Sequence, residues 1–162
     1  MPGRPLSAEE CDRLWQAWTP AEIMATFPGF EWDIVGDGRA WPFPEELENR
    51  HRTWLREPET GVYRLDVFRE PHDGDRWVCR RDRDPAITLP YSELILATDD
   101  GIPYVIPEVV LLFKAKARRP KDESDFLRVL LAMDRSRRSR LSEWLSRVHP
   151  GHPWPTALSH LG

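Results

Sequence analysis

All three lysines of this 162-residue chain, Lys114, Lys116 and Lys121, fall within eight positions of one another, and Asp122 directly follows the last. Ammonium groups so spaced can neutralise neighbouring oxygens of an anion such as a phosphate, and amides at a helix start add further donors. Residues 114–147 hold 11 Lys and Arg against 5 acids, whereas 1–113 hold 12 Arg against 22 acids, in a chain of net charge −4. A local anion site fits that asymmetry better than a diffuse basic coat. The competing reading is a solvated helix face: Val109, Val110, Leu112 and Phe113 fill the core while Lys114 and Lys116 reach water. Asp122 and Asp125 then only favour a helix start.

Other chemistry-bearing residues have weaker settings. Asp73-Gly74-Asp75 and Asp82-Arg83-Asp84 carry acids one residue apart, and His72 adds a ligand type to the first. Both lie in Gly- or Pro-bounded turns, where Asp is common for its backbone hydrogen bonds. Gly36-Asp37-Gly38 reads as a tight turn, because no helix follows it. His149 and His152 sit among prolines and a glycine and read as a turn. Cys11 and Cys79 read as reduced, half-buried thiols, and no Gly-x-Ser-x-Gly elbow occurs. Asp66 stands inside a strand pattern, where aspartate is disfavoured without a reason.

The elements that position these residues change type along the chain. Ser7-Ala8-Glu9-Glu10 fits a capping box, and Cys11, Leu14, Trp15 and Trp18 then recur at helical spacing. Thr19-Pro20 starts a second short helix that ends before Pro28-Gly29. From Trp32 to Arg83 the pattern predicts a small sheet, with strands at Trp32–Val35, Thr53–Arg56, Val62–Arg69 and Arg76–Arg80. In the best of them Tyr63, Leu65 and Val67 should point one way and Arg64, Asp66 and Phe68 the other, which keeps Asp66 out of the main core. Helical period returns over Tyr91–Ala97, Pro107–Ala117, Glu123–Met133 and Arg135–Val148. Prolines stop a helix through His149–Pro155, so this tail should fold back and bury Trp154.

The expected fold is α+β, a small mixed or antiparallel sheet followed by a carboxy-terminal helical cluster. It forms one domain over 1–162, helical at 1–30, β-rich at 31–90 and helical at 91–162. A content of 40% hydrophobic and 31% charged residues with 8 Trp can offset ordering entropy, which excludes a disordered chain. No run of about 18 apolar residues appears and the amino terminus lacks an apolar signal stretch, so a cytoplasmic protein without a membrane partner is expected. An acidic amino-terminal half argues against a nucleic-acid module built on Arg135 to Arg140.

The run Asp100-Gly101-Ile102-Pro103-Tyr104-Val105-Ile106-Pro107-Glu108-Val109-Val110-Leu111-Leu112-Phe113-Lys114-Ala115-Lys116 and its continuation Arg118-Arg119-Pro120-Lys121-Asp122-Glu123-Ser124-Asp125-Phe126 resemble a group of bacterial nucleotidyltransferases. That group is related to the aminoglycoside 2″-adenylyltransferases. The similarity extends to Tyr63-Arg64-Leu65-Asp66-Val67-Phe68, to Asp73 to Val78, and to His149 to Trp154. Such enzymes move a nucleoside monophosphate from a magnesium-bound nucleoside triphosphate to an acceptor hydroxyl. The resemblance implies that Lys114, Lys116, Lys121 and Asp122 meet the nucleotide phosphates, that Asp66 is the strand carboxylate with a catalytic and magnesium-binding role, and that the acceptor is a small molecule of the aminoglycoside kind.

The family's Gly-Gly or Gly-Ser turn, followed by two acids one residue apart on a strand, has no counterpart here. The chain passes directly from Trp18-Thr19-Pro20-Ala21-Glu22-Ile23 to Phe27-Pro28-Gly29, as a family member with an internal deletion would. Losing that pair removes the main electrostatic stabiliser of transfer, worth several kcal/mol. Two readings follow: a nucleotidyltransferase that is impaired or inactive, or a non-catalytic anion- or nucleotide-binding or interaction module derived from that family. A deletion would also leave a sheet edge or apolar patch that self-association could cover.

Overall fold

In the computed structural model, residues 4–5, 24–25, 27–45, 50–84 and 86–160 are described. The two amino-terminal helices expected from Ser7 and Thr19 lie essentially outside them, as does Cys11. The fold is α+β, with antiparallel sheets in the amino-terminal half and helices toward the carboxy terminus. Two compact units form, Asp12–Pro71 and Met1–Cys11 with His72–Gly162. No helix among the described residues is long and apolar enough to cross a membrane.

Unit Asp12–Pro71 is a four-stranded antiparallel sheet. Its strands are β2 (Glu31–Gly36), β3 (Arg39–Pro42), β4 (Arg52–Arg56) and β5 (Tyr63–Phe68), with β1 (Arg4–Pro5) belonging to the other unit; the order is β3-β2-β4-β5. Asp37 and Gly38 both take positive φ, 48° and 72°, and Gly36 pairs with Arg39. That is the two-residue turn whose twist matches a hairpin, and it is the tight turn expected at Gly36–Gly38. Trp32 and Leu55 are buried on one face, joined by Phe27, Phe30, Phe43 and Val67.

The expected alternation of β5 fails at one residue. Leu65 pairs with Leu55, but Tyr63 pairs with Arg56, so Arg64 is an extra residue in a bulge. A bulge reverses the side-chain alternation beyond it. Tyr63 therefore leaves the Leu65 face and packs on Trp54, ring centroids 4.9 Å apart, on the face that carries Asp66.

In the other unit, β1, β9 (Ile95–Ala97) and β10 (Pro103–Val105) form one antiparallel sheet; β6 (His72–Asp73), β7 (Arg76–Val78) and β8 (Thr88–Pro90) form a second. The helices are α1 (Tyr91–Leu94), α2 (Pro107–Lys114), α3 (Pro120–Leu130), α4 (Arg135–Val148) and α5 (Trp154–Ser159). The helix expected over Tyr91–Ala97 stops at Leu94, because Ile95–Ala97 pair with β10 across the turn at Gly101. Cross-strand pairing overrides the local helical pattern there. Helix α3 begins three residues earlier than expected, at Pro120, since a proline is at home in the first helical position.

Trp77, Leu111, Leu112, Phe126, Leu141 and Leu145 centre a shared core. Each such buried side chain contributes about 1.5–3 kcal/mol relative to exposure. Trp154 is buried as expected, stacked on Phe126 at 4.3 Å with the rings 3° from parallel. The tail does not stay irregular, however: Pro155 occupies the first turn of α5, where its missing amide costs nothing.

Candidate functional site

The lysine cluster occupies the corner between α2 and α3. Lys114 ends α2, and Arg118, at φ 45°, turns the chain into α3. The Lys114 ammonium is bound by the Asp125 carboxylate and lies 3.9 Å from Asp122 Oδ1. Asp122 is fully buried and accepts from the Arg119 amide at 3.1 Å and from Arg119 Nε at 2.8 Å. The Arg119 guanidinium above all, aided by that amide and Lys114, holds the Asp122 carboxyl below the usual carboxylate range against the effect of burial. Asp122 thus serves as the back-reaching partner of a helix cap.

The helix-start amides expected to add donors are largely used. Pro120 has none, and those of Asp122 and Glu123 donate to the Arg119 carbonyl at 2.8 and 3.1 Å. Arg118 pairs with Glu123 at 2.8 Å. Lys116 and Lys121 are exposed and are the two lysines of the corner that present their charge to solvent. A shallow groove of about 280 Å³ opens over Val105, Val110 and Val129, with Lys114, Asp125 and Arg128 on its lining; Lys116 and Lys121 do not line it.

Asp66 lies in the sheet unit, on the exposed face opposite Trp54. Arg52 takes both of its carboxylate oxygens, Nε to Oδ1 at 3.2 Å and the terminal nitrogen to Oδ2, while its guanidinium lies over Trp54 and Phe68 at 5.2 and 5.0 Å. On the same face Asp33 accepts from Arg56 Nε at 3.1 Å and from the Tyr63 hydroxyl at 2.8 Å. That hydrogen bond, with burial second, raises the Tyr63 phenol above its ordinary value. The sheet brings acids and arginines together in pairs.

Magnesium needs several hard oxygen ligands in near-octahedral geometry. Among the described residues no three His, Cys, Asp or Glu side chains gather into a group able to hold a metal ion, and Asp66 is bidentate to Arg52. The residues around Asp66 do not fit a resident magnesium.

The remaining candidates are structural. Asp73 pairs with Arg76 across a two-residue turn made by Gly74, at φ 56°, and Asp75. Asp82 accepts from the Ala86 and Ile87 amides at 3.2 and 3.1 Å and from Arg147 Nε at 2.7 Å. Burial alone would raise its pKa, but Arg147 and those amides outweigh it and the net direction is down. His149 Nε2 lies 3.0 Å from the Leu112 carbonyl, His152 Nδ1 accepts from the Trp154 amide at 3.2 Å, and Cys79 is buried in the core.

Sequence reasoning missed Glu108, fully buried near the start of α2 and held by Arg140 at 2.5 Å, with Arg137 Nε at 3.6 Å. The signal was present: Arg137 and Arg140 stand three apart on one face of α4. The chain matches no protein-family model, no curated protein and no solved structure.

Proposed function

We propose that this chain is a non-catalytic anion- or nucleotide-binding module of nucleotidyltransferase-like descent, without effective transfer activity. The observation that carries this reading is the bidentate Arg52–Asp66 pair. A carboxylate that accepts a hydroxyl proton or holds magnesium needs a free oxygen at the reacting centre. Here both oxygens accept from a guanidinium, and although that exposed pair is itself worth only about 0–1 kcal/mol, no group of three ligating side chains forms around it among the described residues to complete a metal site. The descent rests on the resemblance of the Gly101 to Phe126 segment, together with Tyr63 to Phe68, Asp73 to Val78 and His149 to Trp154.

Binding falls to Lys116 and Lys121, whose ammonium groups attract an anion as point charges. Lys114 and Asp122 hold the corner in shape through Asp125 and Arg119. The ligand class is a phosphate-bearing metabolite, a nucleoside triphosphate in the first instance, met in the cytoplasm.

Calorimetric titration of a nucleoside triphosphate, with and without magnesium, tests the reading. Weak binding, screened by salt, indifferent to magnesium and without pyrophosphate release is expected. Micromolar magnesium-dependent binding with pyrophosphate release would instead establish a transferase. Reversing both charges, Lys116→Glu with Lys121→Glu, should abolish the weak binding without changing the unfolding midpoint.

A further inference from the structure

His152 closes a chain of contacts that seats the carboxy-terminal helix. Its Nδ1 accepts the amide of Trp154, the first residue of α5, at 3.2 Å. Its ring meets the Trp154 indole edge-on at 4.8 Å. The indole in turn stacks on Phe126 and donates from Nε1 to Glu123 at 2.8 Å, and Glu123 also binds Arg118. A ring nitrogen accepts only while it carries no proton, so the contact exists in the neutral tautomer protonated on Nε2.

We propose that His152 is a pH-sensitive latch: protonation at Nδ1 converts the acceptor of the Trp154 amide into a second donor and loosens α5 from the Phe126 face of α3. The charges around the ring decide whether such a latch can open near neutrality. Arg118, from the α2–α3 corner, and His149, at the end of α4, oppose a positive ring; Glu123 on α3 and the Ala115 carbonyl favour one. Burial acts first, with Arg118 and then His149 behind it, and together they keep the imidazole below its ordinary value. The closed tail is therefore fully favoured above the unfolded value of about 6.5 and loses that advantage as pH falls from there toward the lower folded value. The neutral-pH state keeps the Trp154 and Phe126 rings covered, and the acid state offers them as an apolar surface.

Hydrogen exchange of the full chain, corrected for intrinsic rates, reads the latch directly. Between about pH 7.5 and 5.5 the amides of Trp154, Ala157 and Leu158 should lose protection, by up to about tenfold, relative to Leu141–Leu145 inside α4. His152→Asn keeps an acceptor oxygen near the Nδ1 position and cannot titrate, so its tail should hold one level of protection across that range. Unchanged wild-type protection, or the same loss in the Asn variant, would overturn the proposal. Ring nitrogen shifts of the wild type give an independent reading should the variant tail unfold. An unprotonated Nδ1 at about pH 7.5 and a titration below the ordinary imidazole value support the latch; a proton on Nδ1, or titration at or above that value, refutes it.

Discussion

Arg52 lies directly across the β4–β5 ladder from Phe68 and reaches diagonally to grip both carboxylate oxygens of Asp66. Diagonal neighbours on one sheet face come within reach of a long side chain, and the Trp54 and Phe68 rings on either side hold the guanidinium over Asp66. Both partners are roughly 40% exposed. Such a pair contributes little, about 0–1 kcal/mol.

Asp66→Asn should accordingly change the urea unfolding free energy by no more than about 1 kcal/mol, and leave nucleoside triphosphate affinity, with or without magnesium, where it is in the wild type. A tenfold loss of magnesium-dependent binding in this variant would restore a metal role to Asp66.

Glu108→Gln tests the buried clamp between α2 and α4. Removing a fully buried carboxylate leaves two arginine charges without their partner; because these are 31% and 23% exposed and partly screened by solvent, the cost should be about 2 kcal/mol, between an exposed pair and a fully buried one. Arg140, over the Trp144 ring at 5.5 Å, and Arg137 would both face a neutral amide. Urea denaturation followed by far-UV circular dichroism should show the midpoint fall steeply with the slope unchanged. A loss under about 1 kcal/mol would mean that solvent reaches the pair.

How far the fold was legible follows from which signals are local. Strands β2, β4 and β5 and helices α2 and α4 announce themselves through alternation or helical period, and the Asp37-Gly38 turn through residues that tolerate positive φ. Ile95–Ala97 did not, because three apolar residues fit a helix or a strand equally until β10 supplies a partner. The bulge at Arg64 was invisible too, since alternation assumes an unbroken pleat. The lysine corner was found as a cluster, yet which lysine meets solvent depends on Asp125 standing eleven residues after Lys114, on a different helix. Likewise Asp66 could be singled out as unusual, while its engagement by Arg52 is a matter of register.

Asp122 gives a pH dependence with a definite sign. Its folded-state pKa is depressed, chiefly by Arg119, so the stability it supplies is fully present above the unfolded value of about 3.9 and is lost as pH falls through the lower folded value. Asp122→Asn removes that titration. Stability measured by urea at successive pH values should therefore decline less between about pH 4 and 2 in the variant than in the wild type. At neutral pH the variant should be the less stable of the two, because the amide accepts more weakly from Arg119. Parallel curves would mean that Asp122 does not report on the α3 start.

Arg118 separates backbone strain from charge at the same corner. A non-glycine residue at φ 45° occupies a region costing on the order of 1 kcal/mol. Its ion pair with Glu123 is exposed on both sides, 49% and 34%, so it returns little. Arg118→Ala keeps the strain and loses the pair, whereas Arg118→Gly loses both; the glycine variant should be the more stable by about 1 kcal/mol, less the extra freedom glycine has in the unfolded chain. Equal stabilities would show that the unfolded-state entropy cancels the relief. Both variants also remove a positive charge that disfavours a protonated His152. The His152 titration, followed by ring proton shifts, should thus move toward higher pH by the same amount in each, because the charge, unlike the strain, is lost equally from both.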